Sequence, residues 1–157
     1  MKKGISALLA VMMLLSVIGC GSKKENSEEP ATLGRKYAKV FLDSSDKDLT
    51  SLAKELSELK AIETEFVTME VEEGYLAGFT EEITGFSKGV MFAPMIGAIP
   101  FVGYVFETDD TDALSDKLLK TSDPAWNVCT EADETVMEIK GNRVFFLMCP
   151  SENNENQ

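Results

Sequence analysis

The stretch Thr135-Val-Met-Glu-Ile-Lys-Gly-Asn-Arg-Val-Phe-Phe-Leu-Met-Cys149 decides the fold class of this chain. Two extended runs flank Gly141-Asn142, and glycine at the first of two loop positions suits a type II′ turn between antiparallel strands. A two-residue loop sets the register. Ile139 lies opposite Val144 and Met137 opposite Phe146 on one side; Glu138 lies opposite Phe145 and Val136 opposite Leu147 on the other. The second run, Val144 to Cys149, is apolar on both faces, which predicts a strand inside its sheet rather than at an edge.

Working outward, Val90 to Phe106 is seventeen residues without a charge. Pro94, Pro100, Gly97 and Gly103, together with a length short of the roughly 20 residues a membrane helix requires, argue against a span. The run predicts two buried strands folding back around Gly97-Ala98. Glu65 to Val71 alternates Phe66, Thr68 and Glu70 against Val67, Met69 and Val71, which predicts another strand. Tyr37, Val40, Phe41, Leu49, Leu52, Ala53, Leu56 and Leu59 recur at helical spacing, interrupted by Ser44-Ser45-Asp46, so helices are expected over 32–43 and 46–60. Asp109 and Asp110 at the start and Lys117 and Lys120 near the finish complement a helix dipole over 110–121. The expected fold is α+β: a single two-layer domain with an antiparallel sheet of four or five strands and about three helices packed mainly on one face.

The 157 residues carry a net charge of −12. That sign argues against nucleic acid as a partner, since displacing phosphate counterions takes clustered Lys and Arg. The acidic surface also repels an anionic membrane. Histidine is absent, which removes imidazole acid–base chemistry, Ser-His-Asp and Cys-His catalysis, and histidine-based zinc sites together.

The N-terminus has its own pattern. Lys2 and Lys3 precede an uncharged apolar run from Ile5 to Ile18, and Val17-Ile18-Gly19-Cys20 closes it. The run fits a secretory h-region of roughly 7–15 residues, and its ending resembles the bacterial lipoprotein signal. That resemblance implies cleavage before Cys20 and acylation of its thiol, placing the protein on the extracytoplasmic face of the cell membrane. Removing residues 1–19 leaves 138 residues and takes the charge to −14. Residues 20–30 then read as a lipidated cysteine and a disordered polar tether, whose ten residues from Gly21 to Pro30 reach at most about 33–36 Å. Residues 31–150 read as the domain and 151–157 as a disordered polar tail.

Several features bear on function. Met91, Phe92, Met95 and Phe101 are candidates for an apolar groove that takes a ligand or partner, because methionine-rich surfaces adapt to varied shapes; the plainer reading makes them core. Eleven carboxylates and a single base, Lys88, lie between Ala61 and Asp112. Glu107-Thr-Asp-Asp-Thr-Asp112 is oxygen-rich but lacks the glycine turn and distal glutamate of a calcium loop, and helix capping accounts for it. Glu72, Glu73, Glu81 and Glu82 surround Gly74–Gly78, a segment read as a loop. They open the alternative of a small carboxylate-dependent hydrolase of glycans, since two acids flanking a sugar bond suffice for that chemistry. Cys129 and Cys149 could pair outside the cytoplasm; Cys149 faces Glu134 in the hairpin register, and the resulting offset from Cys129 weighs against the bond. Trp126, just after the Asp123-Pro124 helix stop, is expected to pack the helix end onto the sheet.

Gly85 to Phe106, Asp123 to Val136 and Phe145-Phe-Leu-Met148 together are similar to small uncharacterised lipoproteins of anaerobic Gram-positive gut-type bacteria. The resemblance implies a host and a location, and no catalytic signature lies within it. The expectation is a membrane-anchored, non-enzymatic binding or accessory module without a cofactor or metal, holding an unknown protein or small molecule.

Overall fold

The structure, a computed structural model, describes residues 32–59 and 61–152. In chain order the elements are α1 (Leu33–Asp43), α2 (Leu49–Ser57), β1 (Phe66–Val71), β2 (Gly74–Tyr75), β3 (Glu82–Ile83), β4 (Lys88–Pro94), β5 (Val102–Glu107), α3 (Thr111–Thr121), β6 (Glu134–Lys140) and β7 (Arg143–Cys149). Five strands form an antiparallel sheet in the order β1-β4-β5-β7-β6, and β2 pairs with β3 in a small second ladder. The protein is therefore an α+β domain whose helices pack against one antiparallel sheet.

The hairpin has the register its loop dictates, with Ile139 opposite Val144, Met137 opposite Phe146 and Glu134 opposite Cys149. Gly141 at the turn has φ +62°, a conformation glycine adopts without steric cost. β7 lies inside the sheet between β5 and β6, as a strand apolar on both faces requires. The uncharged run becomes β4 and β5 joined by residues 95–101, with Phe92 paired to Gly103. Here glycine is needed for space, since a Cβ on Gly103 would lie 2.2 Å from the Phe92 ring.

Strand alternation then builds two cores. Val90, Phe92, Phe101, Val105, Val136, Phe145 and Leu147 face one side and meet Leu33, Tyr37 and Phe41 of α1 and Leu49, Leu52 and Leu56 of α2. Val102, Tyr104, Phe106, Val144, Phe146 and Met148 face the other side and meet Leu114 and Leu118 of α3, with Ile83, Phe79, Phe86 and Trp126. Two of the three helices thus share a face, and α3 lies across the opposite one with the β2–β3 ladder beside it.

The helix ends are set by side chains. Thr32 caps α1 by accepting from the Arg35 N–H, and its hydroxyl donates to Glu134 at 2.7 Å. Gly34 lets α1 seat closely on β6, where a Cβ would come within 2.6 Å of Val136. The second helix is shorter than its periodicity predicts. Its cap is Asp48, beyond the Ser44-Ser45-Asp46 interruption, because the Asp48 carboxylate accepts from both the N–H and the hydroxyl of Ser51, at 3.0 and 2.6 Å. Asp110 caps α3 by accepting from the Ala113 N–H at 3.0 Å.

The Gly74–Gly78 segment is not wholly a loop, since Gly74 and Tyr75 pair with Ile83 and Glu82. Ile83 anchors this ladder in the core at 0% exposure. Ser151 belongs with the domain, its carbonyl accepting from the Leu33 N–H at 3.1 Å. Cys20, the signal over 1–19, the tether over 20–30 and the tail beyond Glu152 lie outside the described residues. Among the described residues, no helix is long and apolar enough to cross a membrane.

Candidate functional site

The structure separates the four residues nominated for an apolar groove. Phe92 and Phe101 are 0% and 3% exposed, and their rings lie 5.9 Å apart in an aromatic cluster with Tyr37 and Phe66. Met91, one residue before Phe92, emerges on the opposite face of the sheet and packs half-buried against the second core. Met95 sits in the 95–101 connection at 61% exposure. Residues adjacent in a strand point to opposite faces, so no common wall can hold all four.

Among the described residues Cys149 and Cys129 are unpaired thiols, Cys149 buried and Cys129 exposed. Burial raises the Cys149 thiol pKa well above its ordinary value, reinforced by the nearby carboxylates of Glu134 and Asp133, so it stays a thiol and not a nucleophilic thiolate. Burial likewise raises the phenols of Tyr37 and Tyr104.

Several of the carboxylates are engaged in structure. Glu107 receives two hydrogen bonds from Arg143, at 2.9 and 3.1 Å, across paired positions of β5 and β7. Thr108 donates to the Gly85 carbonyl and accepts from the Asp110 N–H. The segment read as oxygen-rich thus forms a strand-end ion pair and a helix cap. Glu73 accepts from the Gly85 N–H at 2.6 Å, Glu81 pairs with Lys117, and Glu82 lies opposite Tyr75 in the small ladder. Among the described residues, no three Asp, Glu or Cys side chains converge to hold a metal ion.

Two surfaces among the described residues are candidates for recognition. The first is a cleft of about 500 Å³ between the start of α2 and the ends of β1 and β4, lined by Asp48, Thr50, Glu70, Glu72, Ser87 and Lys88. It carries three carboxylates and one ammonium group, a lining suited to a polar ligand. Hydrogen bonds from the hydroxyl and N–H of Ser51 hold the Asp48 carboxyl below its ordinary pKa.

The second surface is at the opposite end, where residues 95–101 meet the loop after Trp126. Asn127 Nδ2 donates to the Gly97 carbonyl at 2.7 Å and Thr130 Oγ1 to the Ala98 carbonyl at 3.4 Å. These bonds gather Met95, Ile96 and Val128, which are 61%, 64% and 98% exposed. Trp126 packs half-buried onto the second core and roots the loop there. Sequence reasoning passed over Ile96 and Val128. Their signal was an apolar residue in turn-like surroundings, Pro94-Met-Ile-Gly97 and Trp126-Asn-Val-Cys129, where burial in a strand is excluded.

No protein-family model matches this chain, and no curated protein or solved structure matches it.

Proposed function

We propose that this protein is an extracytoplasmic lipoprotein, held at the cell membrane by acyl chains on Cys20, whose domain serves as a non-enzymatic binding or accessory module. The observation that carries the reading is Val17-Ile18-Gly19-Cys20 closing a short uncharged h-region behind Lys2 and Lys3. A lipidated cysteine bears more than one acyl chain, and stable anchoring takes two such signals. The domain's chemistry supports a binder over a catalyst. Histidine is absent, the buried thiol and phenols are kept protonated by burial, and Glu73, Glu81, Glu107, Asp48 and Asp110 are occupied by bonds that hold the fold. Its partner is met through exposed surface, because Phe92, Phe101 and Val105 of the apolar Val90–Phe106 run are spent on the core while its 95–98 tip stays exposed.

Growth of cells with radiolabelled palmitate tests the anchor. The parent protein carries label and sediments with membranes; Cys20→Ala loses the label and leaves the membrane fraction. Unchanged labelling and fractionation in Cys20→Ala refute the lipoprotein reading. Cross-linking in intact cells then identifies what the domain holds.

A further inference from the structure

We infer that the end of the domain bearing Met95, Ile96 and Val128 is its membrane-facing end, and that these three side chains enter the interfacial layer of the bilayer that holds Cys20. The inference rests on the lipid-anchor reading and adds an orientation and a contact to it.

The path of the chain carries the argument. Thr32, where the described structure begins, bonds to Glu134 at the first residue of β6, and the Leu33 N–H bonds to Ser151 just beyond β7. Glu134 pairs with Cys149, and Met148 pairs with Val102 at the first residue of β5. The start of α1, the end of β7 and the 95–101 connection therefore share one end of the sheet. The 124–132 loop joins them there through Asn127 and Thr130. Neighbouring strands are about 4.8 Å apart, so β6 lies roughly 10–14 Å from the β4–β5 connection. Eleven residues separate Cys20 from Thr32 and reach at most about 36–40 Å. A lipid on Cys20 thus lies within reach of the bilayer while the apolar tips rest on it.

The two ends of the sheet differ in what they expose. At this end three large apolar side chains stand out on loops fixed by hydrogen bonds, Val128 at 98% exposure. At the far end lie the Gly141-Asn142 turn, Asp109, Asp110, Glu72 and Glu73, and the apolar side chains there, Leu42 and Ile139, are less exposed, at 41% and 40%. Apolar side chains on fixed loops, with a polar surface at their back, suit shallow insertion beside an anchor that already holds the body close. Glu131 and Asp133 flank the tips, so the contact favours zwitterionic over anionic lipid.

The test uses full-length lipidated protein in phosphatidylcholine vesicles whose acyl chains are brominated. In a Cys129→Ser background, single reporter cysteines replace Met95, Val128 and, at the far end, Asn142, and each is labelled with bimane. All three positions are exposed, and circular dichroism checks that each variant keeps the parent fold. Fluorescence from positions 95 and 128 is expected to be largely lost to bromine while position 142 keeps its intensity. Adding phosphatidylglycerol should weaken that loss. Protein that floats with the vesicles yet shows no loss at 95 and 128, or equal loss at 142, overturns the orientation and leaves the anchor standing. So does a photo-cross-linker at position 128 that captures a protein in cells with no bromine quenching in vesicles. Protein that carries no acyl chain and fails to float removes the anchor, and the orientation with it.

Discussion

The two faces of the five-stranded sheet are covered by different means, and the difference is legible in two tyrosines. On one face α1 and α2 supply Tyr37, Phe41, Leu52 and Leu56. On the other, α3 shares the work with the β2–β3 ladder, Phe79, Phe86 and Trp126. Tyr104 and Tyr37 are both 0% exposed. The Tyr104 hydroxyl donates to the Ala77 carbonyl at 2.8 Å, whereas the Tyr37 hydroxyl is buried with no hydrogen-bond partner among the described residues. A helix satisfies its own backbone and offers little to a side chain pointing out of it, and Tyr37 packs against the Phe92 and Phe101 rings. An irregular cover leaves backbone groups that side chains must satisfy. Hence Tyr104 serves Ala77, Thr108 serves Gly85, and Thr80 Oγ1 donates to the Thr121 carbonyl. On the helix-covered face the directed hydrogen bonds lie at the rim, as from Thr32 and Gly34 to Glu134; under the irregular cover they reach a fully buried side chain, as from Tyr104 to Ala77.

The largest expected effect comes from charging the helix-covered face. Val105 is fully buried there, and Val105→Asp places an unpaired carboxylate in it, a cost that consumes a domain's typical margin of about 5–15 kcal/mol. We expect no folded protein. Phe101→Ala, on the same face, costs about 3–5 kcal/mol by urea unfolding of a protein spanning 31–152, which should fold without detergent. If both variants match the parent, these residues are not core and this face is not closed as described.

Gly103→Ala comes next. The added methyl would meet the Phe92 ring at 2.2 Å, and overpacking of this kind costs about 1–3 kcal/mol. Combining it with Phe92→Leu should recover part of the loss, since the shorter side chain vacates the contact. Equal unfolding midpoints for Gly103→Ala and the parent would show that the ring does not lie over the glycine.

The tyrosine contrast sharpens the comparison directly. Tyr104→Phe should cost about 0.5–1.5 kcal/mol for the lost bond to Ala77. Tyr37→Phe removes a buried hydroxyl that has no bond among the described residues and should be neutral or stabilising. Equal costs for the two would mean that the faces are not closed by different means.

The smallest effect concerns the cap of α2. Asp48 titrates below its ordinary range because Ser51 bonds to the ionised form. A carboxyl lowered in the folded state contributes stability that is present above its unfolded pKa and lost as pH falls through the folded one. Acidification should therefore loosen α2, and with it the helix-covered face. Asp48→Asn keeps a capping oxygen and should flatten that part of the acid transition, read by circular dichroism and by amide exchange at Leu52 and Ala53. An unchanged acid transition in Asp48→Asn would remove Asp48 as its source.

Much of the fold was legible before any coordinates. Period-two alternation, one Gly-Asn turn and an uncharged run broken by Pro and Gly specify strands, and they found β1, β4, β5, β6 and β7. Local signals placed α1 and α3 within about a residue. The α2 start was missed because Ser45, Asp46 and Asp48 are all plausible caps, and only the approach of Ser51 selects Asp48. The choice between core and groove for Met91, Phe92, Met95 and Phe101 stayed open in the sequence because an apolar run shows what is buried without showing which face each member joins once paired.

The amino-acid sequence alone determined the sheet's strands, the hairpin register and the exclusion of histidine chemistry, because these depend on residue type and spacing over a few positions. Only the tertiary structure decided that α3 crosses to the opposite face from α1 and α2, that the carboxylates of 107–112 are taken up by Arg143 and a helix cap, and that Met95, Ile96 and Val128 gather at the end where the chain enters the domain. Those outcomes depend on contacts between segments up to about a hundred residues apart, as between Thr32 and Glu134, and chain spacing does not encode which distant surface a segment will meet.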